Sequence, residues 1–350
     1  MSYIRFLPIL INFTSSIIGK KSAESLLSFF SNREQFYHIS LLYDFEEKKA
    51  NKQLTLMLPG KGCAFAKKTG GCTMCGFNKK IEQLKRTFSD NDLIALYKTA
   101  EIITIQEKPA TISIYNAGSF INNDEISKKV QLNICKEVKK HPTIKNLFIE
   151  SRAEYITKEK ILSLKKELGS KKLTVAIGLE TQDDKIRNQY IKKGLSKKEY
   201  ENAIKILKQN GVKPATYILI KPIYLSEKES IKEAVKSVKY AFRAGSDEII
   251  LESSFVQKCT VMEKLYNEKK FSPPWLWSII EVVKATNNLG NVRLGGFEDE
   301  PPPIAVPYNC KECSAKIKKS LQKYRETNDI KILSDLDCKC KKEWKKIIKS

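Results

Sequence analysis

Histidine is scarce in this sequence, with 2 residues in 350, which argues against catalysis by imidazole acids and bases. Neither His38 nor His141 is a catalytic candidate. The sequence has no stretch of about eighteen uninterrupted apolar residues, so we expect no transmembrane helix. Its N-terminal residues lack the strongly basic start and the cleavage site of a signal peptide. These absences predict a cytoplasmic protein without a membrane partner.

Acidic residues are also few relative to basic ones, since 40 Asp and Glu face 63 Lys and Arg, for a net charge of +23. This excess favours a polyanionic partner such as nucleic acid or an anionic membrane surface. A lysine-rich composition of the source proteome is the alternative. The 9 cysteines are too sparse over this length for a secreted disulfide scaffold. Their clustering therefore indicates metal or redox chemistry.

Strand-like and helix-like segments alternate from residue 53 onward. The alternation predicts a parallel sheet with right-handed crossovers, either a barrel or a doubly wound sheet. Polar motifs follow several strands, and a barrel collects its chemistry at those ends, so a complete or partial barrel is favoured. The predicted strands are 53–58, 111–115, 146–150, 173–179, 214–220 and 248–251, and the predicted helices are 90–103, 124–140, 158–168, 197–210 and 228–244.

Three regions are expected along the chain. Residues 1–50 are predicted to be an N-terminal helical extension, and residues 51–300 the α/β barrel. Residues 301–350 form a basic C-terminal extension.

The loop after the first predicted strand holds Cys63, Cys72 and Cys75 among five glycines. A [4Fe–4S] cluster normally takes four thiolates, so a loop that supplies three would leave one iron open to a ligand. Glycine lets the backbone approach an inorganic core closely. A zinc knuckle is the alternative use of this spacing.

Candidate ligand-binding residues follow four other strands. The small residues Gly118 and Ser119 could let a ligand touch the backbone, although an ordinary turn has the same composition. Arg152, with Glu150 beside it, could grip an amino-acid-like ligand or form a local salt bridge. Glu180 could hold a ribose diol, and Lys221 is expected to point into the same mouth.

The C-terminal extension contains two further cysteine pairs, Cys310 with Cys313 and Cys338 with Cys340. Their spacing allows a zinc site. A second iron–sulfur cluster and free thiols are the alternatives. Residues 311–350 hold 13 Lys and Arg against 6 Asp and Glu, so a metal-bound basic tail could contact RNA.

Taken together and in this order, four motifs resemble those of radical S-adenosylmethionine (SAM) enzymes. They are the cysteine loop, the turn at 116–120, and the strand ends at 150–152 and 178–181. The combination is similar to the branch that includes the catalytic subunit of Elongator. Within it, the stretch Gly-Cys-Thr-Met-Cys-Gly-Phe at 71–77 resembles the archaeal radical SAM enzymes of archaeosine biosynthesis.

The resemblance implies a fold, a cofactor set and a reaction. The fold would be a partial (β/α)6 TIM-like barrel with both extensions. Cys63, Cys72 and Cys75 would ligate three irons of a [4Fe–4S] cluster, and SAM would chelate the fourth. An electron from the cluster would then cleave SAM to a 5′-deoxyadenosyl radical, which abstracts hydrogen from the substrate.

Four further residues receive roles from the resemblance alone. Gly118 and Ser119 would contact the amino group of SAM. Glu180 would contact its ribose, and Arg152 its carboxylate region.

The implied substrate is tRNA that carries a lysine adduct of 7-cyano-7-deazaguanine in the D-loop. A partner, the lysine-transferring archaeosine synthase subunit, would make that adduct. This chain would act as a carbon–nitrogen lyase, breaking the lysine carbon–nitrogen bond to leave archaeosine. Methylation or methylthiolation of RNA, and a non-catalytic zinc-dependent tRNA-binding role, are the alternative functions.

Two features depart from the common superfamily pattern. The cysteine spacing is C-x8-C-x2-C rather than C-x3-C-x2-C, as the Elongator-like branch tolerates. The residue before the third cysteine is often aromatic, and here it is Met74. A thioether can fill that space, and Phe77 is a second candidate.

Overall fold

The computed structural model describes residues 14–16, 19–20, 23–24, 36–84, 87–296 and 302–349. Its strands are β1 Tyr37–Asp44, β2 Lys49–Met57, β3 Thr111–Tyr115, β4 Asn146–Glu150, β5 Lys172–Glu180, β6 Lys213–Ile220, β7 Glu248–Ser253 and β8 Val292–Leu294. Its α-helices are α1 Ala64–Thr69, α2 Phe77–Gln83, α3 Asp90–Thr104, α4 Lys128–Lys140, α5 Lys158–Leu168, α6 Lys197–Gln209, α7 Glu227–Arg243, α8 Val261–Asn267, α9 Leu276–Thr286, α10 Ser314–Thr327 and α11 Cys340–Ile347.

The strands form an eight-stranded sheet in simple chain order, β1 to β8. β1 and β2 are antiparallel, and all neighbours from β2 to β8 are parallel. Helices cover the outer face, as parallel β-α-β units require. The predicted partial α/β barrel is therefore confirmed, with β8 as one more parallel strand than expected.

Local sequence signals start most of the outer helices. A serine or threonine precedes the helix, and its side-chain oxygen accepts the N–H of the third helical residue, which satisfies an otherwise unpaired donor. Three of these caps are full capping boxes, closed by an acidic side chain. The capping residues are Ser89, Ser127, Thr157, Ser196, Ser226 and Thr260, and the boxes are those of Ser89, Ser196 and Ser226.

A helix, rather than a strand, spans the two ends of the sheet. α10 packs against β1, β2 and α9. Its buried face includes Ile317, Leu321 and Tyr324. Arg325 Nε donates to the Leu294 carbonyl of β8 at 3.1 Å. α10 therefore contacts both the first and the last strand of the open barrel.

The predicted N-terminal helical extension over 1–50 is wrong where the structure describes its second half. Residues 37–50 belong to the β1–β2 hairpin, in which Tyr37 pairs with Leu56 and Asp44 with Lys49. Alternating aromatic and aliphatic residues favour a strand here, and the Asp44 carboxylate accepts the N–H groups of Glu46 and Glu47 in the turn. Residues 14–16, 20 and 23–24 are helical, and the rest of 1–35 lies outside the described residues.

The hairpin turn covers the N-terminal end of the barrel. Glu47 pairs with Lys145, just before β4, and Glu46 pairs with Lys172 at the start of β5. These exposed pairs contribute little stability each, but they place the turn across that opening. In the described part of the chain, we find no helix with the length and apolarity to cross a bilayer.

Candidate active site

A cavity of about 720 Å³ fills the concave side of the sheet. Tyr115 and Glu180 line it at the C-terminal ends of their strands, and Asn146 and Lys172 line it at the opposite end. A closed eight-stranded barrel has an interior that side chains just fill. The open barrel leaves room instead for a ligand.

Cys63, Cys72 and Cys75 all line this cavity. They lie in the loop that follows β2, as expected from the sequence. Cys63 caps α1, and its Sγ accepts the N–H of Ala66 at 3.4 Å. Burial raises the pKa of the Cys63 and Cys72 thiols, so metal binding there would release protons.

The cysteine loop is tied to neighbouring strand ends. Thr73 donates from N to the Ile191 carbonyl at 2.9 Å and from Oγ1 to the Tyr190 carbonyl at 2.9 Å, beyond β5. Gly76 N donates to Gln257 Oε1 at 2.7 Å, beyond β7. These contacts fix a loop that has little regular structure of its own.

Glu125 makes the most extensive of these connections. Its side chain is fully buried. Its carboxylate accepts the N–H of Ala64, next to Cys63, at 3.0 Å, the N–H of Ser119, and Asn122 Nδ2 at 3.0 Å. Its backbone carbonyl accepts the N–H of Lys61 at 3.1 Å. One acid therefore holds the cysteine loop against the loop that follows β3.

Gly118 and Ser119 differ in what they can reach. Gly118 lines the cavity, and a Cβ there would lie 1.9 Å from Glu125 Oε2. Only glycine therefore fits beside this carboxylate. Ser119 is fully buried behind it, where its Oγ accepts the N–H of Arg152 at 3.1 Å.

Arg152 lies between the cysteine loop and the segment after β5. Its guanidinium stacks on the Phe65 ring, 3.8 Å from the centroid. It donates to the Lys193 and Gly194 carbonyls at 3.0 and 3.1 Å and pairs with Glu154. A guanidinium is planar and carries several N–H donors, so it can stack on a ring and donate to several acceptors at once. A lysine ammonium could not make the same set of contacts.

Glu180 ends β5 with a left-handed backbone, φ 65°. Its carboxylate pairs with Lys193 Nζ at 2.7 Å, and both side chains are largely buried. Burial alone would lower the pKa of Lys193, but the charge on Glu180, with help from Cys72, raises it. The pair places one cation and one anion beside the cysteine thiols.

A carboxyl group and two phenols lie inside the barrel. Burial raises the pKa of Glu150 to about 7, although a hydrogen bond from Tyr217 and the charge on Lys193 act to lower it. Burial also raises the pKa of Tyr115 and of Tyr217. Glu150 can therefore exchange a proton near neutral pH.

Comparison with known proteins identifies the group to which this chain is related. No family model matches it. Archaeosine synthase subunit beta of Methanosarcina acetivorans is 31% identical over 302 residues, with 85% of each chain covered. The chain belongs to the archaeosine synthase subunit beta family. The subunit of that name from Thermococcus kodakarensis is 29% identical over 305 residues, which cover 86% of this chain and 93% of that one.

Membership of the archaeosine synthase subunit beta family confirms the expected resemblance to proteins of archaeosine biosynthesis. Solved structures that are similar include an archaeal Elp3 from Methanocaldococcus infernus, with 18% identity and a TM-score of 0.49 over 67% of this chain and 58% of that one. SuiB of Streptococcus suis bound to SAM has 15% identity and a TM-score of 0.48, over 79% and 55%. In both, the chain spans less than two thirds of the solved protein.

Six of the residues expected at the site lie together, and Lys221 does not join them. Cys63, Cys72, Cys75, Gly118, Arg152 and Glu180 line one cavity. Lys221 does not point into the mouth, contrary to expectation. It is buried, pairs with Glu227 and lies 3.4 Å from Ser272 Oγ, because a carboxylate at the start of α7 is within its reach.

Sequence reasoning missed Glu125 and Lys193. Glu125 lies in an Asn-Asn-Asp-Glu turn that has the composition of an ordinary loop. Lys193 is one of many lysines, and only its burial against Glu180 distinguishes it. Gly118 was the one sequence feature that could have pointed to Glu125. A glycine at a strand end indicates that another group, here the Glu125 carboxylate, approaches the backbone closely.

The four C-terminal cysteines come together at a second place. Cys310, Cys313, Cys338 and Cys340 have their sulfur atoms within 4.8 Å of one another.

Proposed function

We propose that this protein is a radical SAM carbon–nitrogen lyase that acts on tRNA. Its substrate would be a lysine adduct of 7-cyano-7-deazaguanine in the D-loop, and its product archaeosine. The observation that supports this most is the meeting of three thiols with a large open cavity in a chain of the archaeosine synthase subunit beta family.

The donor set fits a [4Fe–4S] cluster that is bound by Cys63, Cys72 and Cys75 and keeps one iron open. When bound, the cluster and SAM would supply hydrogen-atom abstraction, which suits an unactivated C–H bond of the lysyl group. We assign SAM contacts to Gly118, Arg152 and Glu180, which line the cavity, whereas Ser119, expected from the resemblance to contact the SAM amino group, is buried and takes a supporting role. Gly118 gives the ligand access to the backbone, and Ser119 holds Arg152 from behind.

The Glu180–Lys193 pair supports binding of a ligand with both charges. Glu180 Oε1 accepts from Lys193, and its other oxygen remains suited to accept from a hydroxyl such as a ribose diol. Arg152 lines the cavity beside Phe65. Together these groups can orient SAM at the cysteine loop.

The partner is proposed on the same basis. The net charge of +23 suits a tRNA substrate, since phosphate contacts supply most nonspecific affinity for nucleic acid. The name of the relatives, subunit beta, accords with a second subunit. We propose that this is the lysine-transferring subunit and that both act in the cytoplasm.

The first experiment tests the cluster. Anaerobically reconstituted and reduced protein should give a [4Fe–4S]⁺ EPR signal that shifts on addition of SAM. Cys72→Ala should abolish the signal, whereas Cys259→Ala, at an exposed cysteine outside both cysteine sets, should retain it. A wild-type protein without iron would refute the radical SAM assignment.

The second experiment tests the reaction. Reduced enzyme with SAM and lysine-modified tRNA should release 5′-deoxyadenosine and convert the base to archaeosine, as read by mass spectrometry of the digested tRNA. The same tRNA without the lysine adduct is the control. Formation of a methylated or methylthiolated base instead would assign a different reaction.

A further inference from the structure

The C-terminal cysteine set has the geometry of ligands around one ion. The Sγ–Sγ distances are 3.5 Å for Cys310 to Cys313, 3.6 Å for Cys310 to Cys338 and 3.6 Å for Cys313 to Cys340. A tetrahedral zinc site has Zn–S bonds of about 2.3 Å, which place its sulfur atoms about 3.8 Å apart. The thiols are free rather than paired in disulfides. Three of the six spacings are therefore close to those around one zinc ion, and all six lie within 4.8 Å.

We propose that Cys310, Cys313, Cys338 and Cys340 bind one structural zinc ion. Four thiolates in a tetrahedron select zinc among common ions, and a closed set of four leaves no position for catalysis. A [4Fe–4S] cluster would need its ligands farther apart, because each sulfur binds a different iron. The geometry thus decides between two metals that the spacing in sequence leaves open.

Two N–H groups near these sulfurs support the assignment. Trp277 Nε1 donates to Cys340 Sγ at 3.4 Å, and Asn309 Nδ2 donates to Cys313 Sγ at 3.7 Å. Asn309 is itself held, since its Oδ1 accepts the N–H of Trp277 at 3.3 Å. Donors to the ligand atoms orient metal ligands and stabilise thiolate charge. Both donors belong to buried residues that the barrel holds in place.

The ion would fasten the C-terminal segment to the rim of the barrel. Trp277 lies in the first turn of α9, which follows β7, so it lies at the end of the barrel where the cysteine loop is found. Trp344 of α11 donates from Nε1 to Ser278 Oγ at 2.8 Å, in the same turn. Lys228, in the first turn of α7, donates to the Lys349 carbonyl at 3.2 Å.

The ion would also join the two C-terminal helices. Cys313 immediately precedes α10, and Cys340 is the first residue of α11. α10 is the helix that contacts both β1 and β8. Zinc would therefore fix the element that spans the open side of the barrel, a role that does not depend on the reaction.

Metal analysis of four proteins tests the proposal without any activity measurement. The reconstituted wild type should contain about one zinc and about four iron per chain. Cys338→Ser should lose the zinc and keep the iron, and Cys72→Ser should lose the iron and keep the zinc. Cys259→Ser, at an exposed cysteine outside both sets, should keep both metals.

Three results would overturn the proposal. One is a wild type that contains no zinc when it is produced with zinc in the medium. The second is a Cys338→Ser protein that loses iron instead of zinc, which would indicate a second cluster. The third is zinc retained in full by Cys338→Ser. The zinc content of the wild type tests the proposal even if the Cys338→Ser protein fails to fold. A protein that binds zinc but does not catalyse the lyase reaction would refute the proposed function and leave the zinc proposal standing.

Discussion

Replacing Glu125 by glutamine should loosen the cysteine loop while the barrel stays folded. The carboxylate accepts three N–H donors in a fully buried position, two of them from the backbone of Ala64 and Ser119. Glutamine keeps one acceptor oxygen and turns an NH2 group toward the remaining donor. At least one charge-assisted hydrogen bond is then lost, and one buried N–H is left without an acceptor.

The expected cost follows from these two losses. A hydrogen bond to a charged group contributes about 1.5–3 kcal/mol, and a buried unsatisfied donor costs about 1–3 kcal/mol. The two terms overlap, so we expect the free energy of unfolding to fall by about 2–4 kcal/mol. A domain with a stability of about 5–15 kcal/mol remains mostly folded after that change.

Urea denaturation of the metal-free protein and iron content after reconstitution are the assays. Glu125→Gln should unfold at lower urea and bind less iron than the wild type. Glu268→Gln is the matched control, because Glu268 forms only exposed pairs with Lys264 and Lys270, and it should change neither quantity. Unchanged stability would refute the hydrogen-bond reasoning, and reduced stability with full iron would refute the positioning of the loop.

Two further predictions concern charge. The raised pKa of Glu150, about 7, means that the folded protein holds this proton more tightly than the unfolded chain, so stability should fall as pH rises from about 4.5 to about 7. Glu150→Gln should lose less stability than the wild type between pH 5 and pH 8, as denaturation at the two pH values would show. The same loss of stability in both proteins would contradict this prediction. Lys342 and Lys346 are exposed on α11 at the rim; changing both to alanine should weaken tRNA binding and lower the salt dependence by about one unit per lysine. Lys139 and Lys166, exposed at the opposite end of the barrel, are the control pair, and an equal loss there would show that the rim is not special.

Strands whose own residues define them were predictable from the sequence. β3 and β4 match the expected 111–115 and 146–150 residue for residue, because short β-branched or aromatic runs are bounded there by proline or polar turns. The cysteine loop was predictable for a similar reason, since its thiols and glycines are adjacent in sequence.

The roles of residues whose partners lie far away in the sequence could not be predicted from the sequence alone. Glu125 matters because three donors from separate segments meet it, and Lys193 because Glu180 lies beside it. Lys221 was expected in the mouth, yet Glu227 draws it away. The hairpin of β1 was missed because its apolar residues also satisfy a helical pattern, and pairing with β2 decides between the two.

The barrel wall is interrupted between β1 and β8, and α10 occupies this gap, called here the seam, where a further strand would complete the cylinder. A cylinder of hydrogen-bonded strands has a diameter set by strand number and stagger. A helix that is held by side-chain packing imposes no such fixed diameter, so the interior can hold a ligand that a closed barrel would exclude. The same seam is the weak line of the fold. If α10 came away, the free edges of β1 and β8 would be exposed together, and unpaired edges are where chains join into aggregates.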